Sequence, residues 1–176
     1  MIKKLKNKAG MTLMEIMTAI LIMVLLVVAM GTGMNSGMRI YQDSAFESSS
    51  AILADQVSTA LGDILRYSND IKIEDSALIS LTNTEYGAHN AAFVIGTGDY
   101  AGILQLKSRK TGAVVNVVNP GSYSKLAIEN FRITFNQGNA DIIGSSYFDV
   151  SYTIVSTVDS TKSKSVETVI RIMNTD

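Results

Sequence analysis

Cysteine is absent from the 176-residue chain, which removes disulfide scaffolds, thiolate metal sites and cysteine nucleophiles at once and leaves the compartment open. Histidine and proline occur once each, as His89 and Pro120. The vocabulary of acid–base catalysis and metal ligation is therefore thin, and the chain reads as a non-enzyme with no catalytic residue, no cofactor and no metal. A basic excess is also missing. The formal net charge of -1 and the pI of about 5.8 give no whole-chain field that favours nucleic acid. A mass of 19.0 kDa allows one ordinary domain and an appendage.

Hydrophobic residues, by contrast, are abundant at 47% of the chain, and they are concentrated near the N-terminus. Residues 1–10, MIKKLKNKAG, carry four lysines (Lys3, Lys4, Lys6, Lys8) and no acid, whereas Ile16 to Met38 carry no charge at all. A helix needs roughly 20 apolar residues to cross a hydrocarbon core of about 30 Å, and IMTAILIMVLLVVAMGTGM supplies that length. The lysines orient the N-terminus to the cytoplasm and export the residues after Met38. Without the first ten residues, 11 bases face 16 acids, so the basic character belongs to the leader.

A secretory signal places its small-residue cleavage site after the apolar run. Here the small pair Ala9-Gly10 precedes the run, so cleavage there retains the helix. Glu15 stands just inside the run with no basic side chain within one turn. A carboxylate at the centre of a membrane helix costs on the order of 3 kcal/mol, less near an end, and wants a cation. Cleavage after Gly10 creates an α-amino group on Met11. A neighbouring subunit shifted by one turn can offer that amine to Glu15, with an attraction of roughly 4 kcal/mol at about 4 Å before desolvation. The charge then acts as a register device for stacking identical helices.

These residues, KNKAG followed by MTLMEIMTAILIMVLLVVA, resemble the prepilin N-terminus of type IV pilins and type II secretion pseudopilins. The resemblance covers residues 3–30. It implies that Gly10 ends a leader of residues 1–10, that Met11 is the cleaved and N-methylated first mature residue, and that Glu15 is the assembly glutamate. The implied partners are prepilin peptidase, other pilin or pseudopilin subunits, a membrane assembly platform and, before assembly, membrane lipid. Such families tend to carry a proline about two-thirds along the helix. This chain has Gly31 and Gly33 instead, each weakening a helix by about 1 kcal/mol relative to alanine and marking a comparable flexible segment.

Beyond the span of 11–38, Phe46, Leu53, Val57, Ala60, Leu61, Ile64 and Leu65 recur every three or four residues, one apolar helical face. Glu47, Ser50, Asp55, Ser58 and Asp63 fill the other. Residues 11–67 thus read as one long helix, loosened at Gly31–Gly37, with an amphipathic continuation over 39–70 that must lie against a sheet.

From residue 71 to 176 the period becomes two. Strand candidates are Ile71/Ile73, Ile79/Leu81, Phe93/Ile95, Leu104/Leu106, Val114–Val118, Phe131/Ile133/Phe135, Phe148/Val150/Tyr152/Ile154 and Val166–Met173. Turn residues separate them at Tyr86–Asn90, Gly96–Asp99, Lys110–Gly112, Asn119–Gly121, Gln137–Asn139 and Asp159–Lys164. An antiparallel meander is expected, with Ile103–Ser108 and Ala113–Val118 as a hairpin. The fold class is α+β, a long N-terminal helix packed on an antiparallel sheet, which is also the lollipop that the pilin resemblance implies. SKSVETVIRIMNTD, and the pair KLAIENFRITF and YFDVSYTIVST, resemble the C-terminal part of minor, J-type pseudopilins and related minor pilins. Many pilins staple this region with a disulfide; here the domain relies on its own core.

Other features have plainer readings. Gly96-Thr97-Gly98 lacks the third glycine of a phosphate loop and reads as a turn. His89 reads as a solvated loop residue. Asp99, Asp141, Asp149 and Asp159 are dispersed; since some pseudopilins bind calcium in a C-terminal loop, Asp141 with Asn139 is the candidate there. Of nine methionines, six lie between Met11 and Met34 as apolar filling. Ser145-Ser146 and Ser156–Ser165 have no partner base.

The expectation is a structural subunit, a minor pilin or pseudopilin, held in the cytoplasmic membrane as a single-pass protein and assembled into a cell-surface filament or pseudopilus. One rival is a tip-located minor pilin that binds a surface, DNA or a secreted substrate, with Lys107, Arg109 and Lys110 as its local basic patch. Another is a simple membrane-anchored exported domain.

Overall fold

The structure, a computed structural model, describes residues 12–137 and 146–171. A single helix, α1 (Leu13–Arg66), is followed by eight strands: β1 (Asn69–Glu74), β2 (Ala77–Asn83), β3 (Ala88–Ile95), β4 (Leu104–Ser108), β5 (Val114–Asn116), β6 (Leu126–Asn136), β7 (Tyr147–Ser156) and β8 (Ser163–Arg171). All pairings are antiparallel, so the α+β layout is as the two periodicities predict. The chain divides into two compact units, the first ending at Ala45 and the second starting at Phe46.

In the second unit the helix supplies one wall of the core. Leu53, Val57, Leu61, Ile64 and Leu65 are fully buried or nearly so, and burying each such side chain is worth about 2 kcal/mol. Opposite them β7 alternates strictly, with Phe148, Val150, Tyr152 and Ile154 buried and Asp149, Ser151, Thr153 and Val155 on the other face. Two polar contacts fix the register of helix on sheet. The Tyr152 hydroxyl donates to the Ala54 carbonyl at 3.1 Å and lies 3.4 Å from the Ser58 hydroxyl. The Lys164 ammonium on β8 reaches the Glu47 carboxylate at 2.8 Å. Ser50, expected on the polar face, is instead completely buried. Its hydroxyl donates to the Glu47 carbonyl one turn back, so the helix itself meets the requirement that lets a serine enter a core.

The helix ends where its last carbonyls find partners in the sheet. The Ile64 carbonyl accepts from the Ser68 hydroxyl and from the Asn83 side-chain amide, the latter at 3.2 Å. The other end of the same Asn83 side chain accepts the Tyr86 N–H at 3.1 Å. One buried asparagine thereby stops the helix and shapes the β2–β3 turn.

The sheet runs β5-β4-β3-β2-β6-β7-β8, with β1 paired to β2. A plain meander fails at one connection. After β5 the chain crosses back, so that β6 sits beside β2 at Ala77↔Thr134 while β3 holds β2 farther along, at Leu81↔Ala91 and Asn83↔Ala88. The crossing is close at Gly102, whose carbonyl accepts the Ile128 N–H at 2.7 Å. Gly102 has φ +76°, and a Cβ there would overlap Ala127; only glycine fits both demands.

Several strand ends also differ from expectation. The β2–β3 turn closes by Gly87, and β3 begins at Ala88, so His89 and Asn90 are strand residues. β5 stops at Asn116 rather than at Val118, and β8 takes in Ser163 and Lys164 from the expected turn. The hairpin of β4 with β5 is present, at Gln105↔Asn116, Leu106↔Val115 and Lys107↔Val114. Between β1 and β2, Asp75 and Ser76 form a two-residue turn with φ +48° and +63°.

Candidate assembly site

The first turn of α1 explains why Glu15 is tolerated beside an apolar run. Thr12 precedes the helix, and its hydroxyl accepts the Glu15 N–H at 3.3 Å. In return the Glu15 Oε2 accepts the Thr12 N–H at 2.8 Å and the Thr12 hydroxyl at 3.0 Å. This is a reciprocal capping box: Thr12 is the cap and Glu15 the third helical residue, and two otherwise orphaned N–H groups are satisfied. Charge reasoning alone overlooks Thr12, yet a Thr followed three residues later by Glu at the head of an apolar run is the signature of such a cap. The carboxylate has a local role besides any partner it meets in another chain.

After Glu15 the helix looks after its own polar groups. The Thr18 hydroxyl donates to the Met14 carbonyl at 2.8 Å, and that of Thr32 to the Ala29 carbonyl at 2.9 Å. Hydroxyls bonded back into their own helix need no water, which suits an apolar surrounding. The side chains between them, from Ala19 to Met30, are apolar on every face, and not one residue of the most apolar 18-residue window is buried. Met17, Leu21 and Val24 are each more than half exposed. This helix is long and apolar enough to span a membrane. It runs unbroken through Gly31 and Gly33, where a Cβ would meet nothing within 4 Å. Gly10 and Met11, the expected cleavage and methylation positions, lie outside the described residues, as does the leader.

The remaining candidates do not converge. Among the described residues no three His, Asp or Glu side chains come together in a way that could hold a metal ion. Asp141 and Asn139 lie outside the described residues. Asp159 organises a turn: its Oδ1 accepts the Thr161 hydroxyl at 2.6 Å and the Thr161 N–H at 3.1 Å, which, with Lys162 adding a lesser share, hold its carboxyl below the usual range. Gly96-Thr97-Gly98 leads into a short 3-10 helix over Gly98–Tyr100, a turn as expected. His89 is exposed on β3, and its carbonyl accepts the Ser108 hydroxyl at 2.9 Å. Pairing of β3 with β4 thus brings His89 to the end of the sheet that carries Arg109, whose N–H donates to the Asn90 carbonyl at 3.0 Å. Lys107, Arg109 and Lys110 are all exposed.

No protein-family description, no curated protein and no solved structure matches the chain.

Proposed function

We propose that the chain is a structural subunit of a pilus or pseudopilus, of the minor pilin or pseudopilin kind. Prepilin peptidase cleaves it between Gly10 and Met11, Met11 is methylated, and the helix from Met11 onward anchors the subunit and packs against its neighbours. The observation that carries this reading is the pairing of one lone carboxylate, Glu15, with a helix apolar on every side and unburied over its first half. A helix of that kind is covered by lipid or by other helices. An acid at its head gives identical helices a register.

The test is intact mass and N-terminal sequence of the protein extracted from its native membrane, beside a strain lacking prepilin peptidase. A mature, N-methylated Met11 that reverts to Met1 in that strain supports the reading. Met1 in both strains reduces the protein to a membrane-anchored domain.

A second reading, a tip subunit that binds an anionic polymer, draws on the exposed Lys107 on β4 and Arg109 and Lys110 in the turn after it, none of which forms an ion pair among the described residues. Salt-dependent binding that disappears when all three are changed to glutamine supports it; no binding at low salt removes it.

A further inference from the structure

Strand β8 ends the sheet, and among the described residues no strand lies on its far side. The Ser156 N–H donates to the Lys162 carbonyl at 3.0 Å, and the register from Val155↔Ser163 to Tyr147↔Arg171 continues without a shift. Residues along an antiparallel strand alternate between bonding to the neighbour and turning their N–H and C=O away from it. Lys164, Val166, Thr168 and Ile170 therefore bond to β7. The N–H and C=O groups of Ser163, Ser165, Glu167, Val169 and Arg171 point to the open side, a row about 27 Å long that can accept another strand.

The side chains of that row are all exposed. Glu167 and Arg171 stand roughly 13 Å apart along the strand, too far to pair with one another, and neither forms an ion pair among the described residues. Between them Val169 is 60% exposed. Charges on an edge strand commonly keep other strands away. These two have opposite signs and flank an apolar residue symmetrically, so the row is complementary to itself. When a second β8 runs antiparallel with Val169 opposite its own counterpart, Glu167 lies opposite the second copy's Arg171, and Arg171 opposite the second copy's Glu167. All three residues bring outward-pointing backbone groups to the pair, so ladder and charges are satisfied in one register. Centring the pair on Glu167 sets like charges against each other, and centring it on Thr168 sets Glu167 against Val169.

We propose that β8 is a docking edge for a second copy of this chain, paired antiparallel about Val169 and held by two Glu167–Arg171 contacts. The symmetry also sets a direction. Glu47 on α1 meets Lys164 near the start of β8, and Ala54 and Ser58 meet Tyr152, which pairs with Val166 farther along. The second half of α1 and β8 thus run in the same sense, and a two-fold axis that reverses one reverses the other. Copies anchored side by side in one membrane share a direction and do not make this pair; the partner is a copy facing the opposite way. A single strand pair is a small interface, so the association is weak and reversible.

The chain has no cysteine, so Ser151→Cys supplies one thiol for a nitroxide. Ser151 is opposite Glu167 on β7, and two such positions are about 20 Å apart across the pair centred on Val169. Pulsed dipolar spectroscopy of the full chain in detergent micelles, where copies are free to reverse, is expected to show that distance in a fraction that rises with protein concentration. Adding Glu167→Arg, or Arg171→Glu, sets like charges opposite each other twice and weakens the association by about tenfold or more. Mixing the two single reversals restores it, because every cation then meets an anion across the pair, and so does combining both reversals in one chain. Absence of the distance at any concentration overturns the proposal. A distance that survives both single reversals puts the contact elsewhere on the chain, with the same result, as does failure of both the mixture and the double reversal to restore it.

Discussion

Thr12 and Glu15 cap one another, hydroxyl to backbone N–H in one direction and carboxylate to N–H and hydroxyl in the other. The same carboxylate is the one the proposed polymer requires for pairing with an amine. Two roles on one side chain separate under substitution, because glutamine serves as a cap and carries no charge.

Glu15→Gln is therefore expected to keep the start of the helix but to reduce incorporation into filaments at least about tenfold, since removing one partner of a buried charge pair costs about 3–5 kcal/mol. Glu15→Ala should fall as far while leaving leader cleavage largely intact. Quantifying subunit in the sheared filament fraction, together with the mature-to-precursor ratio in membranes, checks both. Normal incorporation of either variant would rule out the pairing.

Thr12→Val removes the hydroxyl and leaves the charge. The first turn should lose about 1 kcal/mol, a usual cap value. In micelles the amides of Leu13 to Ile16 should exchange faster by about fivefold, while those near Val27 stay unchanged.

Tyr152→Phe takes away the hydroxyl that reaches Ala54 and Ser58. A loss of about 1 kcal/mol is expected, read as a lower urea midpoint with an unchanged slope. An unchanged midpoint would mean that apolar packing alone positions β7 on the helix.

High pH should unfold the domain for a definable reason. Burial pushes the Tyr123 phenol up to about 12, and burial also raises that of Tyr152, against a smaller lowering by Ser58. The folded chain thus keeps protons that the unfolded chain releases near pH 10. The stabilisation is complete below about pH 10 and is lost as pH rises toward about 12. Tyr123→Phe should flatten this alkaline limb, followed by denaturation at stepped pH; an equally steep limb in the variant would put the loss elsewhere.

Backbone geometry gives opposite outcomes at two turns. Ser76 holds a left-handed conformation in the two-residue turn between β1 and β2, so Ser76→Gly should add about 0.5 kcal/mol. Gly102→Ala should cost about 3 kcal/mol, combining strain at φ +76° with the overlap on Ala127. Paired thermal melts of the two variants decide both signs.

Much of the fold is legible because it repeats. Leu53, Val57, Leu61 and Ile64 follow the helical period, and Phe148 to Ile154 follow the strand period; both sets are core. What escapes is whatever depends on a single distant partner. The position of β6 beside β2 rests on few contacts across the crossover at Gly102, which no local pattern signals. His89 and Asn90 look like a turn because they are polar, but they are polar because they begin strand β3 in solvent. Ser50 looks exposed for the same reason, and only its bond to the Glu47 carbonyl makes burial tolerable. At the candidate site the lone Glu15 is plain from composition, whereas its bond to Thr12 needs the helix boundary to be known to the residue.

The contacts of Tyr152 with Ala54 and Ser58 join positions 98 and 94 residues apart. Most of the second unit lies between these positions and must be present before the contacts can form, so the loop they close is long. Folding of this unit is accordingly expected to be slow compared with helix formation. While β7 and β8 are still missing, Leu53 to Leu65 have no complete sheet to cover them. A chain emerging N-terminus first therefore carries an adhesive helix until its last strands arrive, which makes the interval between the two a period of exposure to chaperones and to proteolysis.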